Sequence, residues 1–342
     1  MSPMYTLQTL VSFLPGLETS LSHDVIYALI PVASDRYNIG FKIDHSLPVM
    51  VVYQQFVRYC AESTMTLDII CTPWAPKTEV YRSNQDITDP SPLRPSWICT
   101  VEGLPFGKRK NNVYGRGNGD TFVGLPNRRS YNAAHGSVAV PIFGHTSPEG
   151  NTILDGTLVV SGFQVGVIEE LGNRAAAGTL HMEWIEMSGW TPGQTFISDD
   201  FWRTLVADRG HNGITTPTWF HRACLYWLDL FDGKDVSYDV LQHKHHPSSA
   251  VQYMQRVQSV IWNRKLFIVH DKMGAKLFGL APQHARLKDS VAILHGCSVP
   301  VILRLDKDGW KVIGECFVYG IMEGEAMRIE ENVKATQEFL LH

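Results

Sequence analysis

Trp219, His221, Arg222, Tyr226 and Trp227 are the densest meeting of aromatic and polar side chains in the sequence. Rings of this kind hold an apolar molecule by contact, while neutral donors such as His221 and Tyr226 can activate a carbonyl. His221 and Tyr226 are therefore the candidate catalytic residues, and Trp219, Arg222 and Trp227 the candidate substrate contacts. Trp184 and Trp190 would supply a second wall. At helical spacing Phe220, Ala223, Cys224, Trp227, Leu228 and Phe231 fall on one stripe, with Trp219, Arg222 and Tyr226 on its flank. Core packing explains such a stripe by itself, and a pocket beside the helix is the functional alternative.

Other constellations point to bland roles. His243-Lys244-His245-His246 has no Cys or acidic partners at ligand spacing, so it predicts a solvated loop before Pro247 and no metal site. Glu323 and Glu325 resemble a glycosidase pair, but in a glycine-flanked loop they predict exposure or capping. Gly115-Arg116-Gly117-Asn118-Gly119-Asp120 lacks the Gly-Lys-Ser/Thr ending and preceding strand of a phosphate loop. There is no Gly-x-Ser-x-Gly elbow and no dinucleotide fingerprint. The expectation is no cofactor. Chemistry that needs none is a pericyclic or isomerising step, in which reacting carbons are held near contact distance.

The chain has 342 residues and a net charge of −4, with a pI near 6.4. That balance offers no overall basic field for a phosphate backbone, so nucleic acid is not an expected partner. The 6 cysteines are scattered and none forms Cys-x-x-Cys, which fits a reduced, cytoplasmic protein. No stretch reaches the ~18 apolar residues of a membrane span, and Met1-Ser2-Pro3-Met4 lacks a basic signal-peptide start. The expected partner is an apolar small molecule.

The elements that must position these residues follow from periodicity. Helices are predicted at Leu7–Leu14 (closed by Pro15-Gly16), Asp24–Ile30, Val49–Cys60 behind Pro48, and after Asp199-Asp200. Further helices are predicted after Thr216-Pro217 and after a cap at Ser248 or Ser249. Strands are predicted at Leu158–Ile168, Leu180–Met187, Leu266–His270, Val291–His295 and Val299–Leu305. An Asp308-Gly309 hairpin leads into a return strand with Trp310, Val312, Cys316 and Val318 on one face. The charged tail after Glu330 reads as frayed or a short helix. Short strands at this spacing imply an α+β fold: a small antiparallel β-barrel formed mainly by the C-terminal half, surrounded by amphipathic helices. Residues 1–102 read as a helical layer and 103–150 as a flexible loop region, with a lid at Lys108–Asp120 gating access. Prolines from Cys71 to Trp97 predict a surface loop within the first of these. Residues 151–330 read as the strands, helices and barrel, forming one compact unit with 1–102.

Several of these stretches resemble the C-terminal region of fungal heterokaryon incompatibility (HET) proteins. The family pattern Gly-x-x-Gly-Leu-x-Pro, Gly-Asp, Gly-x-x-x-Pro-x-x-Leu-Arg, Gly-Glu-x-Tyr-x-x-Gly-Ile-Met-x-Gly-Glu-Ala is followed, in order, between Gly274 and Ala326. Upstream, Asp24-Val25-Ile26-Tyr27-Ala28-Leu29, Ala33-Ser34-Asp35, Ile43-Asp44 and Pro95-Ser96-Trp97 follow the same family's order. His23 stands where the family has Arg, His45 where it has Tyr, and Lys288 where it has the Gly before Asp289. The family's N-terminal HET domain, the part associated with triggering cell death, has no counterpart in this sequence. The resemblance implies an accessory region standing alone, and two functions are expected of it. One is a cofactor-free cyclase or isomerase of fungal secondary metabolism, of the norbornene-forming Diels–Alderase type acting on a terpenoid. The other is a recognition module without catalytic activity, acting in self/non-self discrimination.

Overall fold

A computed structural model describes residues 4–14, 19, 21–76, 94–101, 121–126, 128–213, 215–231, 233–237, 239–243 and 245–342. The lid at Lys108–Asp120, the glycine-rich run within it, Pro15-Gly16 and residues 77–93 of the proline-rich loop lie outside the described residues.

Strand β4 (Thr152–Arg174) is the spine of a large mixed sheet. Along its length it pairs with β3 (Ile142–Thr146), β5 (Arg264–His270), β7 (Ser290–Leu294) and β11 (Gln337–Leu341). One branch runs from β4 through β5 and β6 (Lys276–Pro282) to β10 (Phe317–Val318). The other runs from β4 through β11, β9 (Gly309–Glu315) and β8 (Val301–Asp306) to β7, which pairs with β4 again. That second set of pairings is a closed circuit, antiparallel except for the Leu341–Trp310 contact of β11 with β9. Strands β1 (Gly124–Leu125) and β2 (Arg128–Arg129) form a separate hairpin.

Both faces of the spine are buried. Leu158 and Val160 share a core with Leu294, Val301, Leu303, Val312, Phe339 and Leu341, whereas Phe163, Val165 and Ile168 enter a second core with Phe267, Val291 and Ile302. The inward set thus shifts from Leu158 and Val160 to Phe163 and Val165 and back to Ile168, so of the predicted single face through Val159, Ser161, Phe163, Val165 and Val167 only Phe163 and Val165 are buried. The predicted return strand is divided likewise. It turns at Asp308-Gly309 as expected and ends at Glu315, after which Phe317–Val318 leaves to pair with β6.

The helices form as their stripes require. α1 (Leu7–Phe13) starts from Thr6, whose Oγ1 accepts the Thr9 N–H. α2 (Asp24–Tyr27) is shorter than expected, because Pro31 falls inside a separate 3₁₀ turn at Ile30–Val32. α3 (Val49–Thr64) begins behind Pro48 and buries Val52, Tyr53, Phe56, Val57 and Cys60. α5 (Asp199–Leu205) opens on its two aspartates, and α6 (Phe220–Phe231) buries the six predicted stripe residues. α6 starts three residues later than Pro217, and α8 (Ser248–Ile261) has Pro247 rather than a serine at its cap position. α7 (Val240–His243) and α9 (Glu330–Lys334) are single turns.

One predicted assignment is overturned, and one is met only in part. Met182–Met187 is helix α4, with only Leu180 making a strand-like bridge, to Val236. Trp184 (i) and Met187 (i+3) therefore share a helix face rather than ending a strand. Of the two readings of the tail after Glu330 the short helix forms, as α9, and beyond it Phe339 and Leu341 are wholly buried because β11 completes the circuit. The N-terminal layer is stitched to this tail, since Ser96 N donates to His342 O at 3.1 Å and Ser96 Oγ accepts from Val312 N at 2.9 Å.

Candidate functional site

The α6 cluster forms as an aromatic assembly. Trp227 is 1% exposed, stacks on Phe231 and donates its Nε1–H to Ala250 O on α8 at 2.8 Å. Trp184 is fully buried, and its indole N–H is taken by Asn173 O at 3.0 Å. Trp190 is buried after α4, its Nε1 lacking a hydrogen-bond partner among the described residues. Tyr226 Oη meets His246 Nδ1 at 3.0 Å, tying α6 to the loop before α8. His221 sits beside Trp202 and the exposed Phe196, and its Nε2 is buried without a hydrogen-bond partner among the described residues. Trp219 lies half out of the surface against Phe220, and Arg222 is exposed. His221 and Tyr226 lie five residues apart on α6, with separate neighbours, and the structure places Trp184 and Trp190 on a different element.

A cleft of ≈ 1190 Å³ runs between α3, the segment around Asp35–Phe41, the β1–β2 hairpin and the start of β4. Hydroxyl and amide side chains such as Gln8, Asn38, Gln55, Thr66 and Thr72 line it, together with the rings of Phe41 and Tyr59. None of the seven residues singled out around α6 and α4 borders it.

Of its charged groups, Arg58, Glu62, Asp68 and Arg129 form ion pairs, and Asp35 is held by neutral donors. Asp35 Oδ1 accepts Leu7 N–H at 2.8 Å and its Oδ2 accepts Tyr59 O–H at 2.5 Å, pinning α1 to α3. Burial, reinforced by that carboxylate, pushes the Tyr59 phenol well above its ordinary value. Arg58 pairs with Glu62 one turn on at 2.7 Å. Asp68 is 5% exposed, accepts Ser298 N–H at 2.6 Å and pairs with Arg129 Nε at 2.9 Å. Burial raises its carboxyl, and the Ser298 N–H and the Arg129 guanidinium draw it back. Gln55 Oε1 is a buried acceptor on the cleft wall with no partner among the described residues, a position a ligand donor would satisfy. Perturbed titratable groups at a cleft mark a functional-site candidate. Sequence reasoning missed this site because its walls come from four separated stretches of ordinary polar residues. Asp35 in the Ala-Ser-Asp run was the one visible pointer.

The remaining sequence motifs have structural partners. Asp289, 3% exposed, is gripped by Arg304 through two contacts of 2.8 Å. Glu315 pairs with the buried Arg264 at 3.0 Å and accepts the N–H groups of Phe122 and Val123. Gly279 stands where a Cβ would lie 2.3 Å from the Phe267 ring and 2.6 Å from Phe317 O. Glu323 pairs with Arg209, and Glu325 accepts Glu323 N–H at 2.8 Å, so these two serve the turn, as expected. A family model described as the Het-6 beta-barrel domain matches residues 229–341. This C-terminal region is HET-related. The Het-6 barrel match covers about a third of the chain, takes in β5 to β11, and leaves out β4 and every residue that lines the cleft. No curated protein and no solved structure matches the chain. Among the described residues, no cluster of His, Cys, Asp or Glu is arranged to hold a metal ion, and no helix is long and apolar enough to cross a membrane.

Proposed function

We propose that this chain is a HET-like recognition module that binds a polar, hydrogen-bonding ligand in the cleft beside α3. In this reading the strands of the family match, β11, β9, β8 and β7, close on β4 into a circuit that supports one wall. The observation that carries the proposal is Gln55 Oε1, a buried acceptor left open on the wall of a ≈ 1190 Å³ cleft. An unsatisfied buried acceptor costs about 1–3 kcal/mol, which a bound donor would recover. Matched ion pairs at the rim favour a ligand of low net charge, and the hydroxyl-rich lining favours one with many donors and acceptors. Mass spectrometry of material released from the purified protein tests this. A stoichiometric polar ligand present with the wild type and lost with Gln55→Leu supports the proposal, and retention by Gln55→Leu at the same occupancy contradicts it.

A second reading, the cofactor-free cyclase acting on an apolar metabolite, draws on one observation: the buried, unpartnered His221 Nε2 beside Phe196 and Trp202. It requires a terpenoid-like molecule in the released material, retained by Gln55→Leu and lost with His221→Ala.

A further inference from the structure

The turn between β6 and β7, residues 283–289, gathers cations from across the sheet. Arg174, at the end of β4, donates Nη1–H to Gln283 Oε1 at 2.8 Å. Arg304, on β8, donates Nη2–H to His284 O at 2.9 Å, and Lys265, on β5, donates Nζ–H to Ala285 O at 3.0 Å. Three consecutive turn residues are thus each held by a cation from a different strand. The turn adds two exposed cations of its own, Arg286 and Lys288. Against these five stands one carboxylate, Asp289, already occupied by Arg304 and by Arg286 N–H at 2.7 Å. Of the other acids, Glu183 accepts Asn173 N–H, Asp235 engages His181 and Met182 N–H, and Glu169 pairs with His270, while Glu170 is exposed two residues beyond Ile168, which exchanges backbone hydrogen bonds with Lys288 and Asp289.

Two features show that the crowding is not neutralised among the described residues. Arg174 and Lys265 are direct cross-strand partners in the β4–β5 ladder, a placement in which like charges destabilise a sheet. Burial, followed by the charges of Arg174, Arg286 and Arg304, holds the Lys265 amine below its ordinary value. All this occurs in a chain whose net charge is −4.

We propose that this rim binds a multiply charged anion of the phosphate class. The exposed heads of Arg286 and Lys288 would make the first contacts, with Lys265 and the free N–H groups of Arg174 closing the other side. Guanidinium groups suit the role because their donors match phosphate oxygens in pairs. A single carboxylate would leave most of the five cations unanswered, which is why the proposal names a phosphate-bearing group.

The test uses the full chain with pyrophosphate as the probe, read by calorimetry and by the shift in Tm against chloride at equal ionic strength. Wild type should bind pyrophosphate and be stabilised beyond the chloride control. Arg286→Gln combined with Lys288→Gln, both at exposed positions, should keep the anion-free Tm and weaken binding by about tenfold or more. Equal stabilisation by chloride, or undiminished binding by the double variant, overturns the proposal. Phosphatidylcholine vesicles with and without a phosphoinositide separate the sources. Pyrophosphate binding together with phosphoinositide-dependent vesicle binding supports a lipid headgroup, pyrophosphate binding alone supports a soluble phosphorylated ligand, and neither overturns the assignment.

Discussion

Around α6 and α4, Trp227 and Trp184 give their indole N–H groups to backbone carbonyls of other elements, Ala250 and Asn173, while Trp190 Nε1 and His221 Nε2 are buried without partners among the described residues. Around α3 the side chains are smaller and more polar, yet they border open volume, and one buried amide oxygen there lacks a partner. The first region is dense in the residue types usually associated with ligand contact, and the second is not. The contrast teaches that large rings fill space before they line it. Each Trp buries so much apolar area that the chain closes over it, whereas Thr, Gln and Asn leave a cleft stable because their polar groups can be served by water or a ligand.

Substitutions can break this comparison, starting with the largest effects. Trp227→Ala should cost about 3–5 kcal/mol in denaturant unfolding, since the ring is in full contact and its N–H is bonded. A loss below about 1 kcal/mol would reveal slack around α6, where the account says there is none. Glu315→Ala should be comparably severe, about 3–5 kcal/mol, by leaving the Arg264 guanidinium buried without its countercharge. On the cleft side the pattern should invert. Gln55→Leu should change stability by no more than about 1 kcal/mol, because the amide oxygen makes no described bond, while abolishing ligand retention. Arg222→Ala, on the exposed flank of α6, should stay within about 0.5 kcal/mol of wild type.

The smallest effect is one of pH. Lys311, with the Lys307 N–H, holds Asp306 down to about 2, below its ordinary 3.8. A carboxyl lowered in the folded state adds stability above its unfolded pKa and loses it as pH falls through the folded one. Acid unfolding of wild type and Asp306→Asn should therefore differ slightly near neutrality and converge as pH drops from about 4 to about 2. A gap that persists at the acid end would show that Asp306 acts through something other than charge.

Much of the scaffold was legible. The stripes of α3 and α6 repeat every three to four residues and were buried as read, and the Asp308-Gly309 turn formed where glycine allows it. The strand reading of Leu180–Met187 failed because Met182, Trp184, Ile185 and Met187 also suit a short helix, and the Asp235 carboxylate accepting Met182 N–H supplies a start that sequence spacing does not reveal. β11 failed because the pull on Phe339 and Leu341 comes from strands more than 150 residues away for β4 and about 30 for β9. The cleft was illegible for the same reason at larger scale: Gln8, Asp35, Gln55, Asp68 and Arg129 gain meaning only once brought together. The basic rim was hidden too, since a net charge of −4 averages away a local excess spread over β4, β5, β8 and one turn.

The central claim is that ligand binding belongs to the α3 cleft and not to the α6 flank. Site-specific photocrosslinking tests it most directly, with a photoreactive phenylalanine placed at Asn38 on the cleft or at Trp219 on the flank, and the retained ligand as target. The account predicts a ligand adduct from position 38 that disappears when Gln55→Leu is added, and none from position 219. An adduct from position 219 alone would contradict it.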